Sequence, residues 1–408
     1  LSQESRWGYF PAVSGGWNIS NEEFFPKVDA ISSVKLRASW GQNGSTANLS
    51  GYPHNVSIST EAAGFAAGIN SSAGYYERAY PNKLANPKLK WETSEQLDLG
   101  LDTKFFGNRL TFNVDWYRKQ TKDLLISGTT IPLETGNSAP TVNAGDVLNR
   151  GWEFELGWKD YIGDFSYSIN ANLATLHNEV TYLDPTASGT GYLSSSYTRF
   201  IEGYPVWHFW LYEYDGVDEN GDPKIVDQNE DGVYNNDDRV NMGTGYGKFT
   251  YGLTINLAYK NFDLILFGSG TAGNKVLNHV VYSSVQNGYA KFHNERWSAT
   301  DPTAQGIRPR YASGTMYSYY NTSDAFLFNG SYFKIKQIQL GYTLPTKYSR
   351  VIGINHLRAF VSLDDWFCFT KYFGTDPEVA VNATSDIGVD VGSYPNPKRT
   401  IFGVNVTF

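Results

Sequence analysis

The run Asp227-Gln-Asn-Glu-Asp-Gly-Val-Tyr-Asn-Asn-Asp-Asp238 carries the densest set of metal-ligand side chains in the 408-residue chain. It sets Asp227, Asn229 and Asp231 at positions 1, 3 and 5 of a twelve-residue loop, Gly232 at the sharp turn, Asn235 at position 9 and Asp238 at position 12. Calcium takes six to eight oxygens at about 2.3–2.6 Å, and alternate residues of a tight loop can turn theirs inward while Val233 offers its carbonyl at position 7. A structural Ca²⁺, or Mg²⁺ in its place, is therefore expected. Asp238 is shorter than the Glu that usually closes such a loop, which makes bidentate ligation harder. The alternative is an acidic, solvated turn without an ion.

Catalytic signatures are absent from the sequence. The six histidines, His54, His177, His208, His279, His293 and His356, are scattered singly, without the spacing of a helix-borne zinc site. Gly268-Ser-Gly-Thr-Ala-Gly273 matches G-x-G-x-x-G, but no helical pattern follows it, so a flexible strand end is expected rather than a nucleotide site. Glu153 and Glu155 share a strand face and suit a polar lining better than a glycosidase pair. Aromatic clusters could instead bind sugar rings or peptides, because Tyr and Trp join a flat apolar face to a polar tip. The candidates are Tyr75, Tyr76 and Tyr80, then Trp207 and Trp210, then Tyr317, Tyr319 and Tyr320, set against a plainer role in loop packing.

The elements that must position these residues are strands. In Trp152-Glu-Phe-Glu-Leu-Gly-Trp-Lys159 the apolar and polar residues alternate, the period of a strand with two chemically different faces. Eleven such runs are expected, near 6–19, 34–41, 91–106, 110–126, 152–160, 165–179, 249–259, 262–271, 331–344, 357–369 and 400–408. The phase slips near Gln337, as a bulge would cause. The connections alternate short and long throughout, from about 2 residues to about 69, and the longest spans 180–248. Long loops gathered at one end and short turns at the other are the pattern of an outer-membrane barrel, whose apolar row meets lipid while its polar row lines a lumen. An odd strand count makes the chain begin on the long-loop side, as a part of a larger barrel would, since bacterial single-chain barrels have even numbers.

Composition agrees. Charged residues make up 18% and aromatics 16%, with 40 glycines; an average soluble domain carries about 25% charge. A net charge of −8 excludes a basic nucleic-acid footprint. The single cysteine, Cys368, excludes an internal disulfide and a multi-cysteine metal site.

Three stretches, Arg6 to Ser20, Val226 to Val240 leading into Phe249 to Leu253, and Tyr394 to Phe408, resemble the SusC/RagA family of TonB-dependent outer-membrane transporters. The resemblance implies an all-β, antiparallel up-and-down transmembrane β-barrel. Residues 1–408 would be about 11 strands of a 22-stranded whole, its C-terminal part, with the plug and N-terminal strands absent. It also implies import of an oligosaccharide or peptide, a SusD-like surface lipoprotein as partner, contact with outer-membrane lipid, and a homodimer of the transporter–lipoprotein pair. Energy would come from the TonB complex through the absent N-terminal part. The terminal Phe408 on an alternating last strand resembles a barrel-assembly signal. Two other readings remain at this point: a secreted soluble glycan-binding β-protein with a dockerin-like calcium loop, and a receptor for a siderophore or vitamin.

Overall fold

A computed structural model describes residues 1–49, 51–61, 78–126, 131–188, 190–280, 294–301, 305–378 and 385–408. Eleven strands follow one another in chain order across one antiparallel sheet. They are β1 (Ala12–Trp17), β2 (Ile31–Ser45), β3 (Glu92–Phe105), β4 (Leu110–Lys122), β5 (Gly145–Ile162), β6 (Phe165–Thr175), β7 (Phe249–Tyr259), β8 (Phe262–Ala272), β9 (Tyr332–Thr343), β10 (His356–Thr370) and β11 (Arg399–Thr407). All the tight turns, such as the one between β7 and β8 where Lys260 takes a φ of 53°, lie at one end of the sheet. All the long loops lie at the other.

The register keeps two chemically opposite rows in phase from strand to strand. On one face Arg37 stands opposite Gly100, Gly100 opposite Asp115 and Asp115 opposite Glu153. The same face continues through Asn172, Thr254, Asp263, Gln339 and Ser362. On the other face Leu36 pairs with Leu101, Leu101 with Val114, Val114 with Phe154 and Phe154 with Leu173. Further along, Ile255, Leu266, Ile338 and Leu363 continue it. A one-residue slip anywhere would exchange the faces, so the pattern itself pins the register.

Cross-strand ion pairs knit the polar row. Arg37 bridges Asp102 at 2.7 Å and Asp115 at 2.8 Å, joining β2, β3 and β4. Arg358 on β10 donates to Asp263 on β8 at 2.9 Å across the intervening β9. The apolar row has no such covering: Phe402 is 80% exposed and Val404 62%. An exposed apolar band of this extent marks a surface made for a partner or for lipid. Among the described residues no helix is long and apolar enough to cross a membrane.

The expected strands differ from the observed ones in five places, the second running Ile31–Ser45 rather than 34–41. The first is confined to Ala12–Trp17 instead of spanning 6–19. The fourth stops at Lys122, and Leu125–Ile126 pairs with Val142–Asn143 instead of prolonging it. The fifth begins at Gly145 rather than 152, because its first residues pair with His177–Leu183. The expected strand at 165–179 is therefore two: β6 ends at Thr175, Leu176 turns to donate its N–H to the Lys248 carbonyl, and the chain crosses back to β5. The bulge near Gln337 is present, with the register shifting between Ile335 and Gln337 against β10.

A single open sheet encloses little, and the buried core lies elsewhere. Phe209, Leu211, Leu277, Tyr320, Phe326 and Val389, contributed by three different long loops, form one apolar cluster. Short strands frame it. Tyr192–Ser194, Thr198–Ile201, His208–Tyr212 and Arg239–Asn241 make a four-stranded sheet. Lys275–Asn278 pairs antiparallel with Leu327–Asn329 and parallel with Val389–Asp390. The long loops are thus a folded layer on the strand ends.

Candidate functional site

The acidic loop closes on its own backbone. Asp227 accepts from the Gly232 N–H at 2.9 Å, Asn229 from the Asp231 N–H at 3.2 Å and Asp231 from the Val233 N–H at 2.7 Å. Gly232 takes a φ of 75°, a left-handed turn that glycine enters without steric cost. Asp238 is fully buried, and its two carboxylate oxygens accept from the Gln228 N–H at 3.0 Å and the Asn235 N–H at 2.8 Å. It clamps the loop ends together. The other Asp227 oxygen is buried with no hydrogen-bond partner. Among the described residues no three His, Cys, Asp or Glu side chains converge as a metal-holding group, so any cation would rely on Asn229, Asn235 and the Val233 carbonyl as well.

The aromatic candidates fall into different settings. Tyr75 and Tyr76 lie outside the described residues, and Tyr80 sits on the strand Arg78–Lys83 opposite Ser59. Tyr320 is in the core of the loop layer, where it receives a hydrogen bond from Arg308 at 3.1 Å. Tyr319 packs on Tyr212 at 4.6 Å and donates to the Tyr234 carbonyl, tying the helix Thr315–Asn321 to the acidic loop. Tyr317 donates to Asp222 at 2.7 Å, and Arg310 holds the same carboxylate at 2.8 Å. Burial and the Asp222 charge push the Tyr317 phenol up to about 12, while Arg310 and Tyr317 hold Asp222 below the usual carboxylate range. Trp207 packs against Phe200 at 5.7 Å, in a left-handed turn with φ 47°.

Trp210 belongs to a different arrangement, one that the sequence pattern had not marked. The four-stranded loop sheet turns Phe200, Phe209 and Leu211 into apolar cores on one face. Alternation puts Arg199, His208, Trp210 and Tyr212 on the opposite face, with Arg239 opposite Tyr212. Arg199 lies over the Tyr192 ring at 4.0 Å and the Trp210 ring at 4.7 Å, while Arg239 lies over Tyr212 at 4.7 Å. Burial lowers the Arg199 pKa, and the like charge of Arg239 adds to that. His208 donates from Nδ1 to the Pro205 carbonyl at 2.8 Å, and burial lowers its pKa. Strand alternation in Thr198-Arg-Phe could have revealed Arg199, had the short strand been recognised in the long loop.

The G-x-G-x-x-G stretch is a packing device. Gly268 and Gly270 lie within β8, and a Cβ on Gly270 would meet the Tyr332 carbonyl oxygen at 2.2 Å. Tyr251 and Phe333 stack across this narrow point at 6.0 Å. Phe408 follows the end of β11, 85% exposed.

Comparison with known proteins places this geometry. The family model described as "TonB dependent receptor-like, beta-barrel" matches residues 2–365. TonB-dependent receptor P3 of Formosa agariphila is 30% identical over 100% of this chain and 42% of its own length. TonB-dependent receptor SusC of Bacteroides thetaiotaomicron is 30% identical over 100% of this chain and 41% of its own. The chain therefore spans under half the length of these relatives. Among solved structures, the RagAB peptide transporter shares the fold over 100% of this chain and 44% of its own, with a TM-score of 0.83 at 22% identity. The secreted soluble reading is excluded by these matches and by the exposed apolar row. The chain belongs to the TonB dependent receptor-like β-barrel family and forms part of an outer-membrane barrel of the SusC and RagA kind.

Proposed function

We propose that the complete protein imports an oligosaccharide or peptide across the outer membrane, working with a SusD-like lipoprotein and energised through TonB. The observation that carries this reading is the mainly polar row, interrupted by Ile265, Phe267 and Ile401 but braced by Arg37, Asp102, Asp115, Asp263 and Arg358, beneath a folded layer of long loops. A lumen needs a wall that stays polar without collapsing, and cross-strand ion pairs supply both properties. The layer's outward side would meet the lipoprotein, and the transporter–lipoprotein pair would assemble as a homodimer. No bond is made or broken in this reading. Deleting the gene should abolish growth on one defined class of oligosaccharide or peptide, and a protonophore should abolish uptake in the parent strain. Growth and uptake unchanged by deletion across both classes would refute it.

We further propose that the loop 227–238 holds a structural Ca²⁺ through Asp227, Asn229, Asp231, Asn235 and the Val233 carbonyl, with Asp238 as clamp. Support comes from the unpartnered buried Asp227 oxygen, which lacks the partner that a buried polar atom ordinarily has. Calorimetry on the complete protein should show Ca²⁺ binding that is lost in the D227A/D231A variant. Identical heats in both proteins would refute the site.

A further inference from the structure

We propose that the arginine and aromatic face of the four-stranded loop sheet binds the carboxylate or sulfate of an acidic oligosaccharide. This rests on the import reading above and narrows its cargo to anionic sugars.

The argument begins with what the two arginines lack. Among the described residues, neither the Arg199 nor the Arg239 guanidinium makes an ion pair or a side-chain hydrogen bond, and Arg239 Nε is buried without a partner. Most other arginines of the wall and loops are committed: Arg37 to Asp102 and Asp115, Arg308 to Glu295, Arg310 to Asp222, Arg358 to Asp263. Two half-buried like charges on one small sheet weaken each other unless an anion joins them. Asp237 lies close enough to act on Arg199, but it is exposed at the rim and makes no ion pair with either arginine.

The rings explain how the charge is presented. The Arg199 guanidinium carbon lies 4.0 Å from the centre of the Tyr192 ring and 4.7 Å from that of Trp210. The five N–H donors of a guanidinium lie along its edge, and ring contacts consume none of them, so they can serve bidentate capture of an oxyanion. Trp210 and Tyr212 are two residues apart on one strand face, which sets the rings beneath Arg199 and Arg239 about 7 Å apart. That spacing lets one anion bridge the two arginines, or neighbouring anions of a chain engage one each.

The rim selects a sugar over an acidic peptide. Ser194, Ser195 and Ser196 border the face at the turn between Tyr192–Ser194 and Thr198–Ile201, and Asn236 and Asn241 border it on the other side. Hydroxyl and carboxamide groups can match a ring of hydroxyls in both donor and acceptor roles. A peptide would instead call for apolar side-chain sites or a free strand edge, and the central strand His208–Tyr212 is paired on both sides.

The test uses the complete transporter in detergent, with calorimetry against four probes: a tetragalacturonate, its carboxyl-reduced neutral counterpart, a sulfated, carboxylate-free carrageenan tetrasaccharide and tetraglutamate. The acidic sugars should bind at least tenfold more tightly than the neutral one, and R199Q/R239Q should erase that preference. R199K should recover only part of it, because an ammonium cannot form the bidentate contact. Carboxylate and sulfate sources separate by comparing the galacturonate with the carrageenan probe; binding of either supports the site. Heat-modifiable migration on a detergent gel reports whether each variant has folded, and L193A, on the opposite face of the same sheet, controls for loss of the sheet itself. Undiminished acidic preference in R199Q/R239Q, loss of that preference in folded L193A to the same extent, or tighter binding of tetraglutamate than of either acidic sugar would overturn the proposal. Import of neutral glycans with no acidic preference would overturn it alone and leave the transport reading standing.

Discussion

Replacing Lys334 with Met should release the loop 371–398 from the barrel wall. Lys334 stands on β9, 3% exposed at its side chain, and its ammonium reaches Asp376 at 2.7 Å and Glu378 at 2.8 Å. Asn396 closes the arrangement by donating its backbone N–H to Asp376 at 3.2 Å and its side-chain amide to Glu378 at 2.9 Å. In K334M, Glu378 keeps a cation because Lys336 also pairs with it. Asp376 does not, and its side chain is only 6% exposed. Breaking a buried pair by removing one partner costs about 3–5 kcal/mol, and the backbone donors left to Asp376 favour the lower end. About 3 kcal/mol raises the local opening constant more than a hundredfold. Hydrogen exchange on peptides from 371–378 and 385–398 of the complete protein should show that loss while β9 and β10 keep their protection. The K334M/D376L double variant should regain most of it, since no orphan charge remains. Unchanged exchange in K334M, or equal loss throughout the wall, would refute the idea that this cluster is a local anchor.

Acid should open the same loop. Burial works against the Glu378 carboxylate, but hydrogen bonds from Lys334 and Lys336 outweigh it and hold its pKa below the ordinary value. A carboxylate depressed in the folded state contributes stability that is complete above the unfolded value of about 4.3 and is lost as pH falls through the folded one. Exchange protection of 385–398, corrected for intrinsic rates, should therefore hold from pH 7 to 5 and fall below about 4. D238A leaves two backbone N–H groups without acceptors, at about 1–3 kcal/mol each. In the presence of a chelator it should speed protease cleavage within 227–238 at least tenfold, with D238N intermediate. G151A puts a Cβ 1.9 Å from the Thr175 carbonyl oxygen, where β6 ends and the chain returns to β5. The backbone must shift, and the fraction of protein reaching the heat-modifiable folded form should drop.

The wall was legible because a two-faced strand writes its geometry directly into residue order. Trp152, Phe154, Leu156 and Trp158 could share one face only as a strand, and their pairing with β4 and β6 follows from matching rows. The slip at Gln337 was visible for the same reason. What stayed hidden depends on contacts distant in sequence. Nothing near Leu176 announces that the strand breaks there; the cause is the approach of Gly151 to Thr175. The loop strands are three to five residues long, too short for a period to stand out, and they are fixed by a core drawn from three loops. Trp210 was readable as a candidate by type alone. Its partners Arg199 and Tyr192 were not, since the turn that brings them together becomes visible only once Leu193 and Phe200 are seen to pair.

The core shared among the long loops also sets an order of events during biogenesis. Phe209, Leu277, Phe326 and Val389 come from segments delivered to the long-loop side by successive hairpins. The parallel pairing of Leu277 with Val389 brings in the last of them. The two earlier loops supply five of the six buried side chains, but the cluster closes only when the segment carrying Val389 arrives, a non-local contact that repays its closure entropy on completion. Completion of the long-loop layer is therefore timed by the segment that carries Val389, and a chain arrested before it would leave one side of the shared core uncovered.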